Sequence, residues 1–301
     1  MFGRSIRAGL VALRRHSGLA VLLFVVPAVL GYLIAYPIGS AFNASFGASG
    51  FGPDLAEGLD PVLLADFFGE NVGLLSAVAG LLALMVPILL VWSTVVGVGL
   101  VHTLRDGGVR PFWSGVSTFF WRGLAQTALF LVPIGGWTLL SFGAAVVLGM
   151  SFSGEVALFW SIGVAVPAVW IAGMAAIDMI LDYARIGLVA RGMSVIGSAW
   201  FGVRFAYGRL NTHLIYAAWF IPSLCLILLP SGLEIWLGAS VVLWLVQQLV
   251  LLCRSFVTIG WMGSQVALFE AVSEEYFPAI TDGPSDTAEH PLGTEVARDF
   301  A

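Results

Sequence analysis

The stretch AAIDMILDYARIGLVAR, residues 175–191, places Asp178 four residues before Asp182 and Arg185 three residues after it. On a helix these positions project from one face. Two carboxylates and a guanidinium can then form an intrahelical ion pair that caps a bundle, or they can recognise a headgroup or a polar solute. Arg191 and Arg204 extend the same candidate network. Charge in the bilayer interior costs a few kcal/mol, so its depth matters. With a helix running from about 157, both aspartates fall ~30 Å along it at ~1.5 Å per residue, where the helix leaves lipid. That position favours a structural network over a ligand site. The second candidate is the pair Gln247 and Gln248, about 20 Å along a helix from Glu234 at ~1.5 Å per residue. Successive helical residues point about 100° apart, so both amides find partners only if that helix is surrounded. Interhelical hydrogen bonding is their expected role.

Little else in the chain suggests chemistry. His16, His102, His213 and His290 are scattered, and no carboxylate or thiolate stands at ligand spacing beside the one pair, His102 and His213, that could approach. There is no HExxH, GxSxG or Walker pattern, so neither catalysis nor a cofactor is expected. Cys225 and Cys253 lie in apolar segments and read as small buried hydrophobes.

The elements that must carry these residues are membrane helices. Of the 301 residues, 59% are hydrophobic and 10% charged, with a mean hydropathy of +0.97, whereas soluble domains are about 25% charged. Six segments are long enough to span: roughly 18–38, 72–101, 124–149, 157–181, 213–231 and 235–254. The first is longer than the 7–15 residues of a signal-peptide core and is expected to be retained. All 13 basic residues are arginines, and every one falls on one side of this scheme. The opposite loops, 39–71, 150–156 and 231–234, hold acids and no arginine. The positive-inside rule then puts both termini in the cytoplasm of a bacterial inner membrane. No soluble domain clusters these arginines, which excludes a nucleic-acid footprint.

Three parts follow along the chain. Residues 1–17 form an amphipathic arm, with Phe2, Ile6, Leu10 and Leu13 opposite Arg4, Arg7, Arg14 and Arg15, suited to the headgroup plane. Residues 18–276 are the six-helix domain. Residues 277–301 turn to Pro, Gly, Asp, Glu and Thr and read as a disordered acidic tail. Two further interfacial helices are expected after Pro111 and across 193–207. They lie in two stretches that align weakly, 105–123 and 185–204, as parallel repeats would. Asp60 and Pro61 suggest a short helix in the outer loop. Past Arg254 the sixth helix should continue under the bundle. Pro27, Pro87, Pro133, Pro167 and Pro222 put one bend in each of the first five helices. Ala165, Ala168, Ala172 and Ala176 offer a close-packing stripe. Trp113, Trp121, Trp200, Trp236 and Trp261 read as interface anchors.

The pattern DYARIGLVARG followed by GSAWFGVRFAYGRLN, within residues 178–211, resembles an uncharacterised family of six-helix bacterial inner-membrane proteins. That family is similar to the membrane domain sometimes joined to glycerophosphodiester phosphodiesterases. The resemblance implies the architecture and no activity, since these 301 residues hold no counterpart of the phosphodiesterase catalytic domain. The expectation is an all-α polytopic protein with cytoplasmic amphipathic interfacial helices. It would be a non-catalytic structural or accessory protein holding anionic lipid headgroups or a protein partner through its cytoplasmic face. The alternative is a transporter of a neutral or apolar solute that uses the bent helices and Gln247/Gln248.

Overall fold

In lipid no water satisfies a free N–H or C=O, so a chain this apolar must pair its backbone within helices. The structure, a computed structural model, describes residues 1–46, 72–106, 110–152, 154–237 and 241–276; these are almost entirely helical, and no strand occurs among them. The arm is α1 (Phe2–Arg15). The spanning elements are α2 (Ser17–Phe46), α3 (Val72–Asp106), α4 (Arg110–Ser151), the short α5 (Glu155–Leu158) continuing through a π-helical segment (Phe159–Ala165) into α6 (Val166–Arg191), α8 (Leu210–Leu237) and α9 (Val241–Tyr276). Between α6 and α8 lies α7 (Val195–Tyr207). Among the described residues six stretches are long and apolar enough to cross a membrane: Ser17–Pro37, Ala79–Asp106, Pro111–Ser151, Val156–Arg191, Leu210–Leu233 and Val241–Val272. The protein is a multi-pass membrane protein. The loop helix expected near Asp60 and the 277–301 tail lie outside the described residues.

The core gathers at the arginine-bearing end. Leu100, Phe112, Tyr183, Ile186, Ile215, Ile259 and Leu268 are fully buried there, whereas Leu139, Val146 and Met150 at the other end face outward. Lipid is as apolar as leucine, so nothing drives those outer side chains into the protein. Glycines set the close approaches. A Cβ on Gly99 would come within 2.7 Å of the Phe112 ring, and one on Gly123 within 2.6 Å of Val98, so α3 and α4 lie tightly antiparallel.

Several expectations are corrected. The arm packs on α9 through small residues: Ser5 and Gly9 are buried, and Gly9 sits against Ser264 and the Gly260 carbonyl. Phe2 and Leu10, assigned with Ile6 and Leu13 to one apolar face, remain exposed. Residues 111–120 form no separate interfacial helix but are the first turns of the 42-residue α4. The stretch 185–204 does break, at Gly192 (φ 62°), and Ser194 caps α7 by accepting the Gly197 N–H at 3.2 Å. The two stretches proposed as repeats therefore fold differently. The alanine stripe faces outward, with Ala165, Ala168 and Ala172 exposed, and α6 instead approaches α4 through Gly173 against Trp137. There Trp137 Nε1 donates to the Trp170 carbonyl at 3.1 Å and Trp170 Nε1 to Thr138 Oγ1 at 3.3 Å. Pro167 lacks the N–H that Gly163 would receive, and the ladder ahead of it is widened to π spacing, with the Val166 N–H donating to Ser161 O.

Candidate functional site

From Asp182 the helix runs on to Arg191, ~14 Å at ~1.5 Å per residue, and residues 181–189 are all buried. Asp182 is therefore buried in the bundle, Asp178 one turn earlier is exposed on one side, and the helix continues past both. Their neighbours also differ from the expected intrahelical pair: neither carboxylate comes within 4.0 Å of the Arg185 guanidinium. Each group is held from another helix. Arg185 Nη2 donates to Ser93 Oγ on α3 at 2.7 Å and to Thr127 Oγ1 on α4 at 3.5 Å, and Thr94 Oγ1 donates to Thr127 Oγ1 at 3.1 Å. Asp182 Oδ2 accepts from Gln265 Nε2 on α9 at 3.1 Å, and Asp178 Oδ2 accepts from the Tyr216 hydroxyl on α8 at 3.0 Å. Hydrogen bonds to charged groups contribute about 1.5–3 kcal/mol each, enough to join four helices to α6. Room for the arginine comes from Gly97, where a Cβ would meet Arg185 Cδ and Nε at 2.7 Å.

These groups border a cavity of about 280 Å³ between α3, α6, α8 and α9, whose walls also include Ser223, Arg254, Thr258 and Trp261. Asp182 and Arg185 are buried, while Asp178 is open on one side. Two donors at the cavity are unspent. Among the described residues the Arg254 guanidinium has no hydrogen bond or ion pair, and the Trp261 indole N–H is buried with no acceptor.

The cavity is not closed. Trp92, Val96, Arg254 and Thr258 also border a second hollow of about 230 Å³ against Leu23, Phe24 and Pro27 of α2. Pro27 and Leu251 continue that hollow into a third, of about 450 Å³, beside Tyr32, Leu33, Trp244, Gln247 and Gln248. The three hollows share wall residues and follow one another along α2 and α9, a line we call the groove, from the exposed Tyr32, Leu33 and Trp244 to the charges. From Gln247 to Arg254 and from Arg254 to Trp261 are steps of ~10 Å each at ~1.5 Å per residue.

Of the five residues proposed as one network, the structure joins Asp178, Asp182 and Arg185 and separates the other two. Arg191 stacks over Phe201 and Phe269, 5.7 and 5.3 Å from their centroids, and the exposed Arg204 lies 5.5 Å over Trp200. Gln247 and Gln248 do not bind across helices. Gln247 is exposed, Gln248 half-buried, and neither amide has a hydrogen bond among the described residues; this half of α9 borders lipid and is not central. Trp261 is a cavity wall and not an interface anchor, whereas Trp113, Trp121 and Trp200 are exposed. Cys225 is exposed rather than buried. His102 lies 3.2 Å from Asp106 and His213 beside the Arg209 carbonyl, so the two histidines have separate surroundings. Ser93, Tyr216, Arg254 and Gln265 carry no spacing signal linking them to Asp178; polar residues inside apolar helices were the available clue. Arg105 donates to the Ala190 carbonyl at 2.9 Å and closes the end of α6.

No family model matches the chain, and no curated protein or solved structure is similar to it.

Proposed function

We propose that this is a non-catalytic protein of the bacterial inner membrane, both termini cytoplasmic, that takes the headgroup of a membrane lipid into its intramembrane cavity. The carrying observation is the groove: apolar along α2 and α9, it ends at Arg254, Asp178 and Asp182. A water-soluble solute has no use for such a lateral approach, whereas an amphiphile uses all of it. Orientation rests on the arginines. The arginines of the arm and those at 105–122 and 191–209 cluster at one end of the six spans, and the positive-inside rule makes that end cytoplasmic, so the lipid comes from the inner leaflet with its tails directed toward Gln247 and Gln248. A surface arginine collar is not required, because Arg191 and Arg204 stack on aromatic rings.

The test is native mass spectrometry of the detergent-purified protein. Wild type should retain phospholipid, and Arg254→Gln should lose about tenfold or more of it, as expected for one charge-assisted contact. Equal retention would overturn the reading. Transport of a neutral solute is the second reading, favoured only by the passage of the groove beside Gln247 and Gln248. It requires Gln247→Leu/Gln248→Leu to abolish the phenotype of the gene in complementation; lipid binding at Arg254 requires the double variant to complement.

A further inference from the structure

The cavity carries charge of both signs, and this decides which headgroup suits it. Its walls include two carboxylates, Asp178 and Asp182, and two guanidinium groups, Arg185 and Arg254. An anionic headgroup could use Arg254 but would bring no donor to the aspartates, and a like-charge approach to them at low dielectric is costly. The spent and unspent valences divide by sign. Arg185 is committed to Ser93 and Thr127, whereas Arg254 and the buried Trp261 N–H await an acceptor. Both lie on α9, about two turns apart: Arg254 where the hollow beside α2 meets the cavity, Trp261 further in, against Tyr216 and Phe220. Across the cavity, Asp178 uses Oδ2 for Tyr216 and Asp182 uses Oδ2 for Gln265, which leaves Oδ1 of each as an acceptor without a donor.

We infer that the cavity is built for a zwitterionic aminophosphate headgroup, with Arg254 taking the phosphate and Asp178 and Asp182 taking a primary ammonium. The inference rests on the headgroup reading above. A primary ammonium brings three donors and satisfies two carboxylate oxygens; a trimethylammonium brings none. About 280 Å³ lies just under the range of small-molecule sites and suits a headgroup alone, with the acyl chains left in the groove. The open side of Asp178 allows the ammonium to enter, and Gln265, fully buried, fixes Asp182 behind it.

The experiment compares phosphatidylethanolamine, phosphatidylcholine and phosphatidylglycerol with identical acyl chains. Each is titrated onto delipidated full-length protein and read by native mass spectrometry, with soluble phosphoethanolamine as a fourth arm. Phosphatidylethanolamine should bind about tenfold or more tightly than the other two lipids, and Asp178→Asn should erase that preference while leaving phosphatidylcholine binding unchanged. Because Asp178 is open on one side, the variant should melt close to wild type in detergent, and Ser223→Ala, elsewhere on the wall, should leave the preference intact. If phosphatidylglycerol binds equally well and Arg254→Gln weakens both, the headgroup reading survives and the ammonium assignment is overturned. If no lipid responds to Arg254→Gln, both fail. Binding of soluble phosphoethanolamine as tight as the lipid would keep the aminophosphate chemistry and refute its lipid source.

Discussion

The seat of Arg185 over Gly97 gives the sharpest test of the cavity's architecture. Gly97→Ala puts a methyl group where Arg185 Cδ, Nε and Cζ now lie, at 2.7, 2.7 and 3.0 Å. Those atoms are buried, so the guanidinium can move only toward the cavity, and it must leave Ser93 Oγ, 2.7 Å away. Losing one charge-assisted hydrogen bond costs about 1.5–3 kcal/mol. Against this, Gly→Ala inside a helix contributes up to about 1 kcal/mol of stabilisation. A control cancels that part: Gly136 on α4 has nothing within 4 Å of its added Cβ and is exposed. The difference between Gly97→Ala and Gly136→Ala should therefore be about 1.5–3 kcal/mol, read as chemical-denaturant or thermal unfolding in a mild detergent. In a Ser93→Ala background the same difference should shrink to about 0.5 kcal/mol, because the bond is already gone. Equal stability of the two alanine variants in the wild-type background would mean that Arg185 does not lie across Gly97, and the cavity wall would have to be redrawn.

The arm and the joint that follows it give two further expectations. Gly9→Val pushes a side chain into Ser264 Oγ and the Gly260 carbonyl, a backbone atom that cannot yield, so α1 should lift from α9. Tryptic cleavage at Arg4 and Arg7 should accelerate about tenfold for each 1.4 kcal/mol lost, while Gly3→Val, in open space, should not change it. His16, between α1 and α2, is buried, and burial together with the neighbouring Arg15 charge holds its pKa below the ordinary 6.5. The unfolded chain thus binds the proton more readily than the folded one. His16 then supports stability fully above about pH 6.5 and loses that support as the pH falls below it toward the lowered folded value. The melting temperature of wild type should drop between about pH 8 and about pH 5.5 more than that of His16→Gln; parallel profiles would refute the burial of a neutral ring.

What the sequence disclosed and what it withheld follow one physical division. Span length and the continuation of α9 past Arg254 depend on apolar content along the chain, and they were legible. Azimuth was not. A helix between protein and lipid is apolar on both sides, so it shows no amphipathic stripe from which to read its buried face. Glycines illustrate the difficulty: Gly97 seats a guanidinium while Gly136 faces open space, and nothing local distinguishes them. The glutamines of α9 are the plainest case. Gln247 and Gln265 are eighteen residues apart, five turns at 3.6 residues, and so share an azimuth. Gln265 binds Asp182 in the core, whereas Gln247 faces the groove beside α2. Only the position along the helix at which α6 crosses α9 separates their roles. That crossing is marked by the Gln265 bond to Asp182, between residues 83 positions apart in the chain, and α8 is fixed beside it by Trp219 on Gly260 and the Trp219 indole bond to Ser264 at 2.9 Å. The charged trio on α6 could therefore be found from its spacing, but its partners on α3, α4, α8 and α9, and the cavity they enclose with it, could be found only from the packed helices.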